Sequence, residues 1–380
     1  MSAITLPMAP VSEAAEALRG DVRRFLAETL HDLPSARRTR SWSGFDADFS
    51  AKVAAQGWIG MTWPKVYGGH ERSAFERYVV LEEMLAAGAP VAAHWFADRQ
   101  AGPLLLKFGT EEQRRMLLPG MAAGTIFTCI GMSEPDSGSD LAAVRTRAEP
   151  VDGGFRINGT KLWTTYAHKS HYMVLFCRTS GSAADRHAGT SQLLVDLASP
   201  GISISPIIDL AGEHHFNQVM FEDVFVPETA LVGRLGEGWA QVMSELALER
   251  SGPERFLSSM TLLVELIRLL SANPTPQAAA AIGRLAGHLA ILRQMSRSIA
   301  WMLENGEEPA LQASIVKDLG TVFEQEIPDI ARQLVDTGAA ASAEFAAVFA
   351  ATQMSVPSFS LRGGTREILR GIIARGLGLR

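Results

Sequence analysis

The apolar residues of this chain keep one spacing at its two ends and another in its middle, and that switch narrows the folds open to it. From Val11 to about Ala123 they recur three and four apart, as in Phe75, Val79, Val80 and Met84, which is the period of helices packed on one face. Pro and Gly punctuate this stretch at WPKVYGGH (63–70), GAP (88–90) and LPG (118–120), which read as loops. TEEQRRMLLPGMAAG reads as a helix capped by Thr110, with Glu112 in its first turn and its end before Pro119. Then come TIFTCIGMS, GFRINGTKLWTT, SHYMVLFCRT, TSQLLVDLASPGISISPI and FNQVMFEDVFVP, short runs separated by Gly, Asn, Asp and Pro. Their spacing predicts an antiparallel β domain, with the Asn-Gly pair of RINGTK (156–161) as a hairpin turn. After Gly236 the helical period returns, broken at SANPTPQ (271–277) and ENGEEP (304–309). The predicted class is α+β, mostly α: a helical domain over 1–125, a middle β domain over 126–235 and a C-terminal helical bundle over 236–380.

Composition removes several function classes. A chain of 380 residues with 47% hydrophobic and 20% charged residues can bury two or three cores. Its formal net charge of -6, with both signs scattered, offers no basic face to nucleic acid. Cys129 and Cys177 lie alone in apolar runs, which suits a reducing compartment and no disulfide framework. No run has the length of a signal core or of a membrane span, so the expected location is the cytoplasm.

Common site motifs are missing. There is no P-loop, RGGTREI lacks the spacing of a dinucleotide-binding turn, and no GxSxG elbow occurs. His168 and His171, three apart without a Cys or carboxylate cluster, read as loop residues rather than metal ligands, and the pair His214-His215 reads no better. SEPDSGSD (133–140) is the informative stretch. It follows the first β run, and a Gly-Ser-Asp turn at a strand end supplies backbone N–H groups and a hydroxyl suited to a phosphate or a flavin edge.

WPKVYGG, SEPDSGSD, NGTKLWTT, FEDVFVP, GEGW and GGTREILRGIIAR occur in this order over roughly residues 10–380. In motif order and architecture the chain resembles the acyl-CoA dehydrogenase family. The resemblance implies FAD held in an extended pose without a Rossmann turn, and an acyl-CoA substrate. The segment from Ile130 through Met132 and Ser133 to Gly138 and Ser139 would line the flavin, Ser133 at its pyrimidine side and Ser139 near pyrophosphate and thioester. Trp163, Thr164 and Thr165 match the family's cofactor-binding Trp-x-Thr run, with Trp163 against the flavin and Thr165 near its N5 edge, while Thr365 and Glu367 match C-terminal positions that approach the cofactor.

The reaction so implied needs a base for the α-proton, a hydride acceptor and donors for the thioester carbonyl. Many members carry the catalytic carboxylate immediately before the Gly-Thr of the C-terminal motif, where this chain has Gly363. Members resembling isovaleryl-CoA dehydrogenase carry a glutamate before an Arg on the helix after the β domain, which matches Glu249-Arg250. Reading Trp239, Val242, Leu246, Pro253, Phe256 and Met260 as the buried stripe of one long helix, kinked at Pro253, also puts Glu249 on that stripe, where burial would raise its pKa. Arg250 would orient the site or contact the pantetheine arm. Ala247 stands where an Asp contact to that arm is common.

Two segments that reach a neighbouring subunit's FAD in the family are weakened or absent here. The first region reads SANPTPQAAAAIGR, and the second, near LVDTGAAAS, is degenerate. Arg284, Arg293 and Arg297 are the nearby cations. Expected partners are therefore an electron-transfer flavoprotein as acceptor and either a homodimer or homotetramer or, as in some sterol-side-chain relatives, a heterotetramer with a related chain. The alternatives are a non-catalytic or half-active subunit of such a heteromer, and a flavin oxidase or monooxygenase on the same fold.

Overall fold

The structure, a computed structural model, describes residues 4–8, 10–250, 252–335 and 342–379, without the side chains of 246–249. Helices α1 (Glu13–Thr29), α2 (Ser35–Arg38), α3 (Ala47–Ala55), α4 (Ala74–Ala86), α5 (Ala92–Phe96), α6 (Gly102–Phe108) and α7 (Glu111–Ala122) come first. Strands β1 (Thr128–Gly131), β2 (Arg147–Val151), β3 (Gly154–Thr165), β4 (Tyr172–Arg178), β5 (Thr190–Asp196), β6 (Ile202–Ile208), β7 (His214–Pro227) and β8 (Leu231–Val232) follow. Then come α8 (Gly238–Glu249), α9 (Met260–Ser271), α10 (Pro276–Glu304), α11 (Ala310–Leu334), α12 (Ala343–Phe359) and α13 (Arg366–Gly376). The chain divides into two compact units, one of residues 1–49, 72–92 and 247–380, the other of 50–71 and 93–246.

The second unit is built on a sheet of order β6-β7-β3-β2-β4-β5-β8, with β1 added beside β4. It is antiparallel except where β1 and one residue of β2 join β4 in parallel. β4, YMVLFCR, is buried along almost its whole length, as its unbroken apolar sequence requires of a central strand. Cys129 and Cys177 sit in this core, and burial pushes both thiols up to about 12. The outer strand β6, ISISPII, alternates and carries Pro206, a residue without a backbone donor and so suited to an edge. At the other end β8 is two residues long.

Asn158-Gly159 is not a hairpin turn. It lies inside β3, where the register with β7 shifts between Ile157 and Gly159. Gly159 has φ 146°, and a Cβ there would stand 2.6 Å from Thr146 Oγ1, so the glycine serves a bulge and a close approach. The turn between β2 and β3 is made by Asp152-Gly153, with Gly153 at φ 74°. Helix α7 likewise passes through Pro119 instead of stopping before it. The missing N–H removes one ladder bond near the helix end, and Ala123 N–H still donates to the Pro119 carbonyl. Its start is as expected: Thr110 accepts from Gln113 N–H while the Gln113 side chain accepts from Thr110 N–H. Thr110→Ala should cost about 1 kcal/mol, read as a lowered midpoint of urea unfolding with unchanged slope.

In the first unit, α1, α4 and α10 are joined by charge. Arg19 pairs with Glu82 (2.9 Å) and Glu83, Arg23 with Glu83 (2.7 Å), and Arg293 with Glu82 (2.6 Å). Arg284 pairs with Glu326. Arg284 and Arg293, both considered as cofactor contacts, are thus engaged within the fold. The degenerate segment at 336–341 lies outside the described residues.

Candidate active site

The SEPDSGSD motif is anchored from below by an ion pair that sequence reading passed over. Lys161 on β3 is fully buried, and its Nζ donates to Glu134 Oε1 (2.8 Å) and to the Met132 carbonyl (3.0 Å). The Glu134 carboxylate also accepts from the Arg145 and Thr146 N–H groups (2.7 and 2.9 Å). Burial opposes its charge, but Lys161 and these donors outweigh it and hold the carboxyl below the usual range. Burial in turn draws Lys161 below its ordinary value, against the pull of Glu134. A lysine at an inward position of a strand was the signal available, since Phe155, Ile157 and Lys161 share one face.

Above this anchor the predicted residues separate by exposure. Ile130 pairs with Val174 inside the sheet, and Met132 packs on Val144, Phe176 and Val242. The Ser133 carbonyl accepts from Leu162 N–H at 2.8 Å, joining this motif to KLWTT. Ser137 donates its hydroxyl to the Asp140 carbonyl (2.9 Å), while Gly138 and Ser139 are exposed. Trp163 is 53% exposed at φ 60° and meets Phe216 edge-on, 5.6 Å between centroids. Thr164 is buried with its hydroxyl unpartnered, and Thr165 is half-buried opposite Phe216. The Ser133–Leu162 bond therefore brings the segment that follows β1 against the end of β3 that carries residues 163–165.

The C-terminal candidates belong to the other unit. Thr365 caps α13, accepting from Ile368 N–H, and Glu367 is exposed in the first turn. Glu367's own backbone N–H and the Thr365 hydroxyl hold its carboxyl below the usual value. Gly363 and Gly364 both have positive φ, 65° and 91°. Arg250 is buried, and its Nε donates to the Gly363 carbonyl at 3.1 Å. A Cβ at Gly364 would stand 3.2 Å from Arg250 Nη2, so the turn is tight against the guanidinium. The next residue back, Arg362, donates to Glu324 (2.9 Å) and lies between the rings of Trp42 and Phe359 (4.3 and 4.7 Å).

Glu249 ends α8, and its side chain lies outside the described residues. The long helix expected beyond it does not exist. α8 stops at Glu249, Gly252 is extended, and Pro253 opens a single 3-10 turn (Pro253–Arg255) before α9. The residue before a proline avoids the helical region, so Pro253 begins a new element instead of kinking an old one. The stripe linking Glu249 to Phe256 and Met260 is accordingly lost as an argument.

Family models for the acyl-CoA dehydrogenase N-terminal, middle and C-terminal domains match residues 12–125, 129–224 and 236–378. The chain belongs to the acyl-CoA dehydrogenase family. It is 32% identical to acyl-CoA dehydrogenase IpdE1 of Mycobacterium tuberculosis, covering 96% of this chain and 97% of that one. Among solved structures it is similar to the Tcur3481-Tcur3483 steroid ACAD, with a TM-score of 0.85, 28% identity, and 98% and 100% of the two chains covered. The ChsE4-ChsE5 complex of Mycobacterium tuberculosis gives a TM-score of 0.84 at 27% identity, covering 98% and 99%. Acyl-CoA dehydrogenases are flavin-dependent oxidoreductases, and this chain is one of them. Among its described residues no group of three His, Cys, Asp or Glu could hold a metal, and no helix is long and apolar enough to cross a membrane.

The residues present suit a flavin. Thr164 offers a buried hydroxyl without a partner next in sequence to the exposed indole of Trp163, and Gly138-Ser139 forms an exposed turn in the same unit. An orphaned buried hydroxyl is uncommon in a finished core and is the kind of group a bound ligand satisfies.

Proposed function

We propose that this chain removes hydrogen from the α and β carbons of an acyl-CoA, giving the trans-2-enoyl-CoA, with Glu249 as the base for the α-proton. One observation carries the choice of base: the Arg250 bond to the Gly363 carbonyl ties the end of α8 to the turn where many relatives hold their carboxylate. Gly363 has no side chain, so the base that sits there in those relatives is supplied here by the residue adjoining Arg250. Arg250 keeps the helix end and the turn together. Ser133, Ser139, Trp163, Thr164 and Thr165, with Thr365 and Glu367, would hold FAD. FAD, when bound, accepts the hydride from the β-carbon. Ser139, on its exposed turn, would also meet the thioester, and an electron-transfer flavoprotein would collect the electrons.

A second reading concerns assembly. Segments that reach a neighbour's FAD are weakened or absent in the sequence, and the similar Tcur3481-Tcur3483 steroid ACAD and ChsE4-ChsE5 complex each pair two chains. In that reading this chain works in a heteromer with a related partner. The deciding experiment is the visible spectrum and solution mass of the purified chain, followed by anaerobic titration with straight, branched and ring-bearing acyl-CoA thioesters. Flavin that bleaches on titration supports the dehydrogenase. A loaded protein that none of these thioesters bleaches argues against it, and a colourless chain points to the heteromer.

A further inference from the structure

The Trp163 segment is bent in a way that a plain strand would not tolerate. Between Lys161 and Thr164 three steps on β3 face two on β7, from Val219 to Asn217, so one extra residue is carried as a bulge. Trp163 and Tyr166 both take left-handed backbone angles, φ 60° and 52°, without being glycine. Such conformations persist only where the surroundings over-determine them, and they concentrate at working sites.

The surroundings that do so are identifiable. Asn217 is fully buried, and its Nδ2 donates to the Thr164 carbonyl at 3.0 Å. That fixes the amide, so its Oδ1 faces the other way. There it meets both His168 Nδ1 (3.0 Å) and His214 Nε2 (2.8 Å). An amide oxygen only accepts, so both rings present N–H to it, and each neutral tautomer is set. The rings stack 3.9 Å apart at 17°. Tyr166 N–H completes the hold by donating to the His215 carbonyl at 2.7 Å.

We propose that Asn217 and the stacked pair His168–His214 are positioning residues that hold the Trp163–Thr165 bulge in its flavin-facing form, releasing it in mild acid. The proposal rests on the reading that this segment faces the cofactor. In its neutral form each ring gives one N–H to Asn217 Oδ1, and a second proton would leave that bond in place but set charge against the ring stacked 3.9 Å away. Burial and then His214 and Lys169 hold His168 below the ordinary histidine value, with Asn217 opposing. A proton therefore binds the released form more readily, and the held form weakens as pH falls below about 6.5. The other groups around the pair are Lys169, 5.6 Å above the Tyr166 ring, Tyr166 itself, and His215, whose Nδ1 lies 3.5 Å from Asp209. Asp209 faces His215 and Lys169 faces the Tyr166 ring, so the two charges adjoin other groups while the stacked pair meets on Asn217.

The test is the emission of Trp163, taken as the difference between the chain and its W163F variant between pH 5 and 8. The full chain is used as purified. The expected result is a transition below about pH 6.5 that Asn217→Leu abolishes and His168→Gln flattens, since glutamine keeps one N–H donor without titrating. Flavin reduction by isovaleryl-CoA or another active thioester should slow about tenfold or more in Asn217→Leu, mainly in kcat. Unchanged emission and pH profile in both variants would overturn the proposal. If Asn217→Leu does not fold, His168→Gln decides alone, because its effect is on the pH profile. Failure of every thioester to bleach the flavin would sink the dehydrogenase reading, while the emission would still decide whether the bulge is held as described.

Discussion

Glu249→Gln is expected to slow flavin bleaching by acyl-CoA about 10²–10⁴-fold, the usual contribution of a positioned base. Glutamine keeps the size and polarity of the side chain but cannot take the α-proton, so flavin content and spectrum should match the parent. Stopped-flow reduction under anaerobic conditions reads the effect, and bleaching at the parent rate would remove Glu249 from the mechanism. A companion variant sharpens the result. Gly363→Glu in the Glu249→Gln background puts a carboxylate back where many relatives carry theirs, on the turn that Arg250 grips. Rescue should be partial, because residue 363 sits at φ 65°, which costs a side chain about 1–2 kcal/mol. Partial recovery would mean that two chain positions serve one reactive spot.

The second large effect concerns stability. Lys161→Met should destabilise the protein by about 3–5 kcal/mol, because it leaves the buried Glu134 carboxylate without its cation. Adding Glu134→Gln to Lys161→Met should restore most of that loss, since two uncharged groups need no mutual neutralisation. Urea unfolding of the two single variants and the double variant measures the coupling. A loss in Lys161→Met that the second change does not reduce would show that Lys161 acts through its bond to the Met132 carbonyl instead. The single variants should also lose flavin, because Met132 and Ser133 follow the strand this pair holds in place.

The sequence made the architecture legible because hydrophobic period is set by the side of an element that faces the core. Apart from the helix read through Pro253, helical and strand runs fell where their spacing placed them, and the ordered motifs carried the family. Punctuation was less reliable. Asn-Gly marks a turn only when no partner strand competes, and at Gly159 the pairing with β7 and the approach of Thr146 win. Pro253 read as a kink because periodicity continued past it, yet apolar spacing can run through a helix end when the next turn packs on the same core. The pair Lys161–Glu134 and the imidazoles on Asn217 were hidden for another reason. Lys161–Glu134 joins residues 27 positions apart and His168–Asn217 residues 49 apart, and no local pattern reports such contacts.

The sheet's two rims also bear on company. β6 ends the sheet with a proline in its backbone, and β8 ends it after two residues. Neither rim offers a long ladder of open amides to a stranger's strand. A subunit or an electron carrier that recognises this sheet must therefore read its surface through side chains, which keeps recognition selective and leaves little purchase for runaway fibre growth.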